Sequence, residues 1–386
     1  MNEKTTLKSF LPVIFSFYVM GFVDIVGVAT GFVKIDFNLS DSVAQLLPSM
    51  VFVWFALISI PTGIFQDRKG KKATVILGML LTGVGLLIPF VLYNYITVIV
   101  GFALLGIGNT ILQVSANPLL IDVSSESAKV ANLSLSQFVK AIASMFGPII
   151  TAALAAYMGN WKLIFPVYAI LSVLSSFWLY SVRIDESKPD KKPASFSTVI
   201  NILKHRFVWV MIMSVFAMVG FDVSMNSNIA TYLQSRFNIT IEVASLGISI
   251  YFAALMVGRL AGALMLRKLE AKSFLTISTA LTLLGLAGII LIDDLFIVQI
   301  MIFVTGIGFS NLFPIIFGIT VESRPEYANE ISGLIILFVC GGAVIPPIMG
   351  LISQYFGVAL SMGVLVLCIL YVGFAALYAL KQKKSA

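Results

Sequence analysis

Gly63-Ile64-Phe65-Gln66-Asp67-Arg68-Lys69-Gly70-Lys71-Lys72 is a short polar break between two long apolar runs, residues 43–65 and 74–93. Each run has about the 20 residues that a helix needs to cross a hydrocarbon core about 30 Å thick. Arg68, Lys69, Lys71 and Lys72 crowd into the break, as expected of a loop anchored at the anionic, cytoplasmic face of a bilayer. Gly63 would let two helices approach closely, and Asp67 could cap a helix or pair across a gate. Gly70 completes the spacing.

Outward from this loop the same alternation continues over the whole chain. Twelve apolar spans are expected, at 10–33, 43–65, 74–93, 95–121, 129–157, 161–182, 207–233, 242–268, 272–292, 294–321, 328–355 and 358–380. Of the 386 residues 59% are hydrophobic and 11% charged, against about 25% charged in a soluble domain. Membrane strands would show alternating segments of about ten residues, whereas these runs are continuous. The first span is too long for a signal-peptide core and has no small-residue cleavage site. With the N-terminus inside, the outer loops carry only Lys34, Lys162 and Arg236. That asymmetry places both termini in the cytoplasm and explains the net charge of +7 without a nucleic-acid partner. No basic stripe with interleaved aromatics is present.

Several chemistries lack material. Cys340 and Cys368 lie in apolar spans and read as small buried hydrophobes. His205, the one histidine, stands in a basic loop. There is no nucleotide-binding glycine loop, nucleophile constellation or metal cluster, so no enzyme, cofactor or ATP-driven pump is expected. Asn38-Leu39-Ser40 and Asn238-Ile239-Thr240 are formal glycosylation sequons on outer loops and carry little weight.

The longest break, Arg183 to Arg206, holds Pro189 and Pro193 and room for a short interfacial helix at Ser197–Leu203. It divides the chain into a six-helix bundle at 1–182, a cytoplasmic linker at 183–206 and a second bundle at 207–386. The halves repeat at an offset of 198 to 200 residues. Asp24 matches Asp222, Gly63 matches Gly262, and Arg68-Lys69 matches Arg267-Lys268. Gly106 and Gly108 match Gly306 and Gly308, and Pro148 matches Pro346. Six-helix repeats around a central site are the plan of alternating-access carriers.

Inside the spans the ionisable groups are Asp24, Lys140, Asp222 and Arg259. Charges there are costly and mark function by default. Asp24, near the middle of span 1, can carry a proton close to neutral pH. Its equivalent Asp222 is the second candidate, and an ion pair with Lys140 is the structural alternative. Asn109, Gln113 and Asn117 fall at i, i+4, i+8 on one face of span 4. Span 5 adds Asn132, Ser136, Gln137, Lys140 and Ser144. Amides both donate and accept, which suits hydroxyl groups, although they also join membrane helices. Asn226 shares a face with Asp222, and Asn311 precedes Pro314. Arg259 reads as a gate or interdomain residue. Trp54 could stack on a sugar face or simply pack.

The loop 63–72 is similar to the signature of the major facilitator superfamily, G-x-x-x-D-[RK]-x-G-[RK]-[RK]. Gly106-Ile107-Gly108, Gln113-Val114-Ser115-Ala116-Asn117-Pro118, Gly258-Arg259-Leu260-Ala261-Gly262 and Asn311-Leu312-Phe313-Pro314 resemble the fucose:proton symporter family, which includes glucose/galactose permeases. The resemblance implies a proton-coupled monosaccharide carrier in an all-α fold of two pseudo-symmetric bundles. It places Asp24 at the family's span-1 aspartate. Gln113 stands where the fucose branch has a glutamate, and Lys140 where that branch carries asparagine. A sugar-acid symporter using Lys140, sodium coupling at Asp24 and a drug efflux pump stay open as alternatives. The expected partners are a small solute and the bilayer, with the chain acting as a monomer.

Overall fold

The computed structural model describes residues 7–124, 129–186, 202, 204–265, 270–324 and 327–381. Twelve helices are long and apolar enough to cross a membrane. They are α1 (Leu7–Asp36), α2 (Asp41–Lys69), α3 (Lys71–Val91), α4 (Tyr95–Asp122), α5 (Lys129–Met158) and α6 (Trp161–Ser181) in the first half. The second half contains α7 (Arg206–Phe237), α8 (Ile241–Met265), α9 (Ala271–Leu291), α10 (Leu295–Glu322), α11 (Ile331–Phe356) and α12 (Val358–Lys381). Among the described residues there is no strand. The expected helix at Ser197–Leu203, Ile202 apart, and the Arg267-Lys268 pair lie outside them.

Pseudo-symmetry reaches individual contacts. α3 packs on α4 and α6 as α9 packs on α10 and α12, and α1 on α5 as α7 on α11. A Cβ on Gly108 would lie 2.5 Å from Thr82 Oγ1, and one on Gly308 would lie 2.7 Å from Thr282 Oγ1. The small residue lets α4 reach α3, and α10 reach α9, at backbone distance. Asn38 and Asn238 end α1 and α7 with φ of 48° and 51°. Asparagine tolerates this left-handed helix end better than most residues, which explains the two sequons by backbone geometry. The halves meet along α5–α8, α2–α11 and α1–α7.

Several of the described spans are interrupted. In α1, Gly21–Asp24 winds as a 3₁₀ turn between two α-helical lengths. α10 breaks at Ser310 and Asn311, because Pro314 has no N–H for the Ser310 carbonyl and its ring crowds it. α11 breaks at Val339 and Cys340, ahead of Pro346 and Pro347. Pro347 frees the carbonyl of Ala343, and Ser49 of α2 donates to that oxygen at 2.8 Å. A helix defect thus becomes a contact between halves, as backbone groups at membrane depth require.

At the end of the bundle holding the α1–α2 connection, the three cations are all engaged. Lys34 pairs with Asp41, Arg236 with Asp293 at 2.6 Å, and Lys162 lies 4.3 Å above the Tyr93 ring. Asp36 accepts from Tyr93 at 2.6 Å and from the Trp161 indole at 2.9 Å. Burial, with the Asp36 carboxylate beside it, holds the Tyr93 phenol above its ordinary range.

Candidate functional site

The 3₁₀ turn of α1 is clamped at both ends by side-chain amides. Asn109 Nδ2 of α4 donates to the Met20 carbonyl at 2.7 Å, and Asn226 Nδ2 of α7 donates to the Asp24 carbonyl at 3.0 Å. The turn lies directly on α5, since a Cβ on Gly21 would stand 2.6 Å from the Lys140 carbonyl. At its last residue the Asp24 carboxylate accepts a 2.5 Å hydrogen bond from the Ser144 hydroxyl of α5.

The other charges surround the same place. Tyr251 of α8 donates to Asp222 Oδ1 at 2.8 Å. Arg259 Nη1 reaches the Gln137 carbonyl of α5 at 3.5 Å. Among the described residues, no ion pair within 4.0 Å involves Asp24, Lys140, Asp222 or Arg259. Their fields nevertheless act on one another. Each lies deep among neighbouring atoms and still keeps part of its side chain accessible, the pattern of groups that line an interior space. Two carboxylates and two cations therefore lie within one another's fields, with no ion-pair contact among the described residues.

The amides separate into two groups. Asn109 is 1% exposed and Asn311 6%. Asn311 donates to the Gly258 carbonyl at 2.7 Å and occupies the space that a Cβ on Gly262 would need. These two, with Asn226, join helices in this conformer. Gln113, Asn117 and Gln137 keep accessible surface, and Asn117 Nδ2 donates to the Gln113 carbonyl at 3.4 Å. Asn109 Oδ1, Asn226 Oδ1 and Trp54 Nε1 are buried without a protein partner.

The basic loop differs from its reading. Among the described residues Gly63 has nothing within 4 Å of where a Cβ would project, so it brings no described helix close in this conformer. Asp67 and Arg68 are exposed. The cap is supplied by Glu186 instead, whose carboxylate accepts from the backbone N–H groups of Lys71 and Lys72, where the helix dipole favours an anion. Lys71 Nζ pairs with Asp122 at 2.6 Å, and Lys72 Nζ donates to the Tyr180 and Val182 carbonyls. Gly70 turns the chain with φ 92°, and a Cβ there would stand 2.9 Å from Glu186 Oε2.

The halves are fastened toward the α1–α2 end. Gln45 of α2 donates to Asn228 Oδ1 of α7 at 2.9 Å and accepts from the Ser227 hydroxyl at 2.9 Å. Ser353 of α11 donates to Asp41, and Ser42 donates to Gln354. A Cβ on Gly350 would lie 2.8 Å from the Asp41 carbonyl. Sequence reading passed over Gln45, Tyr251 and Glu186. Gln45 and Tyr251 carried a signal, as polar groups within apolar spans. Glu186 had none, because its partner lies more than a hundred residues earlier.

The Major Facilitator Superfamily model matches residues 12–345 and 219–385. A glucose/galactose transporter of Brucella abortus is 22% identical over 389 residues, covering 95% of this chain and 92% of that protein. The L-fucose-proton symporter of Escherichia coli is 22% identical over 355 residues, covering 83% of this chain and 81% of that one. A crystal structure of the E. coli fucose:proton symporter, FucP, carrying a single substitution, superposes with a TM-score of 0.70 at 17% identity, covering 97% of this chain and 99% of that one.

Proposed function

Because this chain belongs to the Major Facilitator Superfamily, a family of multi-pass membrane transporters, we propose that it imports a monosaccharide by alternating access, in symport with protons carried by Asp24. The setting is the bacterial inner membrane, with both termini cytoplasmic. The names of the relatives, glucose/galactose transporter and L-fucose-proton symporter, support the solute class.

The carrying observation is the placement of Asp24. Its carboxylate stands on a 3₁₀ turn near the middle of α1, bonded to one hydroxyl and still accessible. A carboxylate fixed for packing would be in contact with a cation. One held by a neutral Ser144 hydroxyl can lose or gain its proton without breaking an ion pair. Asp222, held by Tyr251, is the second titrating group. Gln113, Asn117, Gln137 and Lys140 offer the solute contacts. Asn109, Asn226 and Asn311 hold the helices that present them. Arg259 and the α2–α3 loop, with Gly63, Asp67, Arg68 and Gly70, belong to the moving parts. The conformer is closed at the α1–α2 end, which this orientation makes the outer face.

The test is solute uptake into proteoliposomes holding the purified protein. Asp24→Asn should abolish accumulation driven by a pH gradient while sparing exchange of internal for external solute. Full accumulation by that variant, or driving by sodium without a proton gradient, would overturn the reading.

A further inference from the structure

Among the described residues Lys140 has no counter-ion in contact with it, and that arrangement names the solute more narrowly. We propose that the solute is an anionic monosaccharide, a polyhydroxylated monocarboxylate, whose carboxylate is held by Lys140 and Arg259 and whose entry with one proton is electroneutral. This rests on the proton-coupled monosaccharide reading above.

The groups facing Lys140 are Asp24 on α1, Asp222 on α7 and Arg259 on α8, with Tyr251 of α8 bonded to Asp222. Two negative and two positive charges balance when all are ionised. Asp24 accepts from Ser144 and Asp222 from Tyr251, and among the described residues neither carboxylate contacts a cation. Charges kept for structure alone would be drawn into contact, because a buried pair offsets its desolvation only with close geometry and direct hydrogen bonds between the partners. Separation leaves room for a ligand that touches both signs. Its hydroxyls can donate to the carboxylates and exchange hydrogen bonds with the accessible Gln113, Asn117 and Gln137 side chains, while a carboxylate accepts from Lys140 and Arg259.

The proton sharpens the argument. When one carboxylate takes up the coupling proton, the cluster carries one unmatched positive charge. A neutral sugar leaves that charge buried and unpaired, which is strongly unfavourable. A monoanion cancels it. One proton and one monoanion then move together with no net charge.

The experiment uses the full chain in proteoliposomes, with galacturonate, glucuronate and gluconate as acid probes and galactose, glucose and fucose as neutral ones. The wild type should accumulate at least one acid along a pH gradient. An inside-negative potential of 100 mV, set by valinomycin and potassium, should leave that accumulation unchanged. The same potential would raise accumulation of a neutral sugar with one proton about 50-fold. Lys140→Gln should lower the preference for acid over neutral probes by at least tenfold, and Lys140→Arg should retain it. Should Lys140→Gln fail to fold, the wild-type electrical measurement decides alone. Potential-driven accumulation of a neutral sugar with the acids ignored overturns the proposal and leaves the monosaccharide reading standing. Uptake of neither group sinks both.

Discussion

Gly27 of α1 lies directly against Asn226 of α7, in the other half, and adding one methyl there should shift the conformational equilibrium. A Cβ on Gly27 would collide with Asn226 Oδ1 and lie 2.6 Å from the Asn226 backbone carbonyl. The side-chain amide can swing away, but doing so gives up its bond to the Asp24 carbonyl, a loss of about 1 kcal/mol. The backbone oxygen cannot, and forced overpacking costs about 1–3 kcal/mol. The gain of about 1 kcal/mol from alanine's helix propensity applies whether the halves are closed or apart, so it cancels. Gly27→Ala should therefore penalise the closed conformer by about 2–4 kcal/mol, a population change of roughly 30- to 700-fold. The reporter is Ser49→Cys in a Cys340→Ser, Cys368→Ala background, since Ser49 is 7% exposed between α2 and α11. A membrane-impermeant maleimide should label it at least tenfold faster when Gly27→Ala is present. An unchanged rate in a protein that still unfolds cooperatively would show that the α1–α7 contact does not hold the gate.

Gly70→Ala should lower the melting temperature in detergent, since its φ of 92° costs a non-glycine residue about 1–2 kcal/mol; a wild-type melt would remove the turn from the account. Glu186→Gln should destabilise less, by about 0.3–1 kcal/mol for a lost anion at the α3 N-terminus, and an effect that persists in high salt would argue against that origin. Tyr251→Phe leaves Asp222 without its hydroxyl donor and should cost about 1–3 kcal/mol, read as a fall in thermal stability that Asp222→Asn in the same protein partly cancels. Gly262→Ala should destabilise because its Cβ would collide with Asn311 Nδ2. Adding Asn311→Ala should recover about 1–3 kcal/mol of coupling, whereas strictly additive losses would mean that the two positions do not meet.

Much of the scaffold was legible because bilayer thickness acts on local sequence. The twelve spans, the repeat of Gly106 and Gly108 in Gly306 and Gly308, and the interior polar stripes all follow from periodicity and from what hydrocarbon excludes. The partners of those residues did not follow, because helix azimuth and tilt decide them. Asn109 and Gln113 are one turn apart on the same stripe. Asn109 meets a carbonyl of α1, while Gln113 keeps open surface. The loop at 63–72 shows the converse. Its spacing was distinctive, yet among the described residues Gly63 faces open space and the capping carboxylate is Glu186, which no local pattern could place beside Lys71.

The 3₁₀ turn at Gly21–Asp24 also sets the phase of α1. Four residues of 3₁₀ winding turn about 80° further than four of α winding and rise about 2 Å more. The segment beyond Asp24 is thus offset in rotation from the segment before it, so one helix addresses two neighbours that a uniform screw would not both reach. Gly21 lies on α5, and Gly27 seats against α7. The half-helix on either side behaves as a shaft keyed to the other through this one turn. Whatever rewinds those four residues, at the very place where Asp24 holds its hydrogen bond, re-aims Gly27 by a comparable angle without bending any helix.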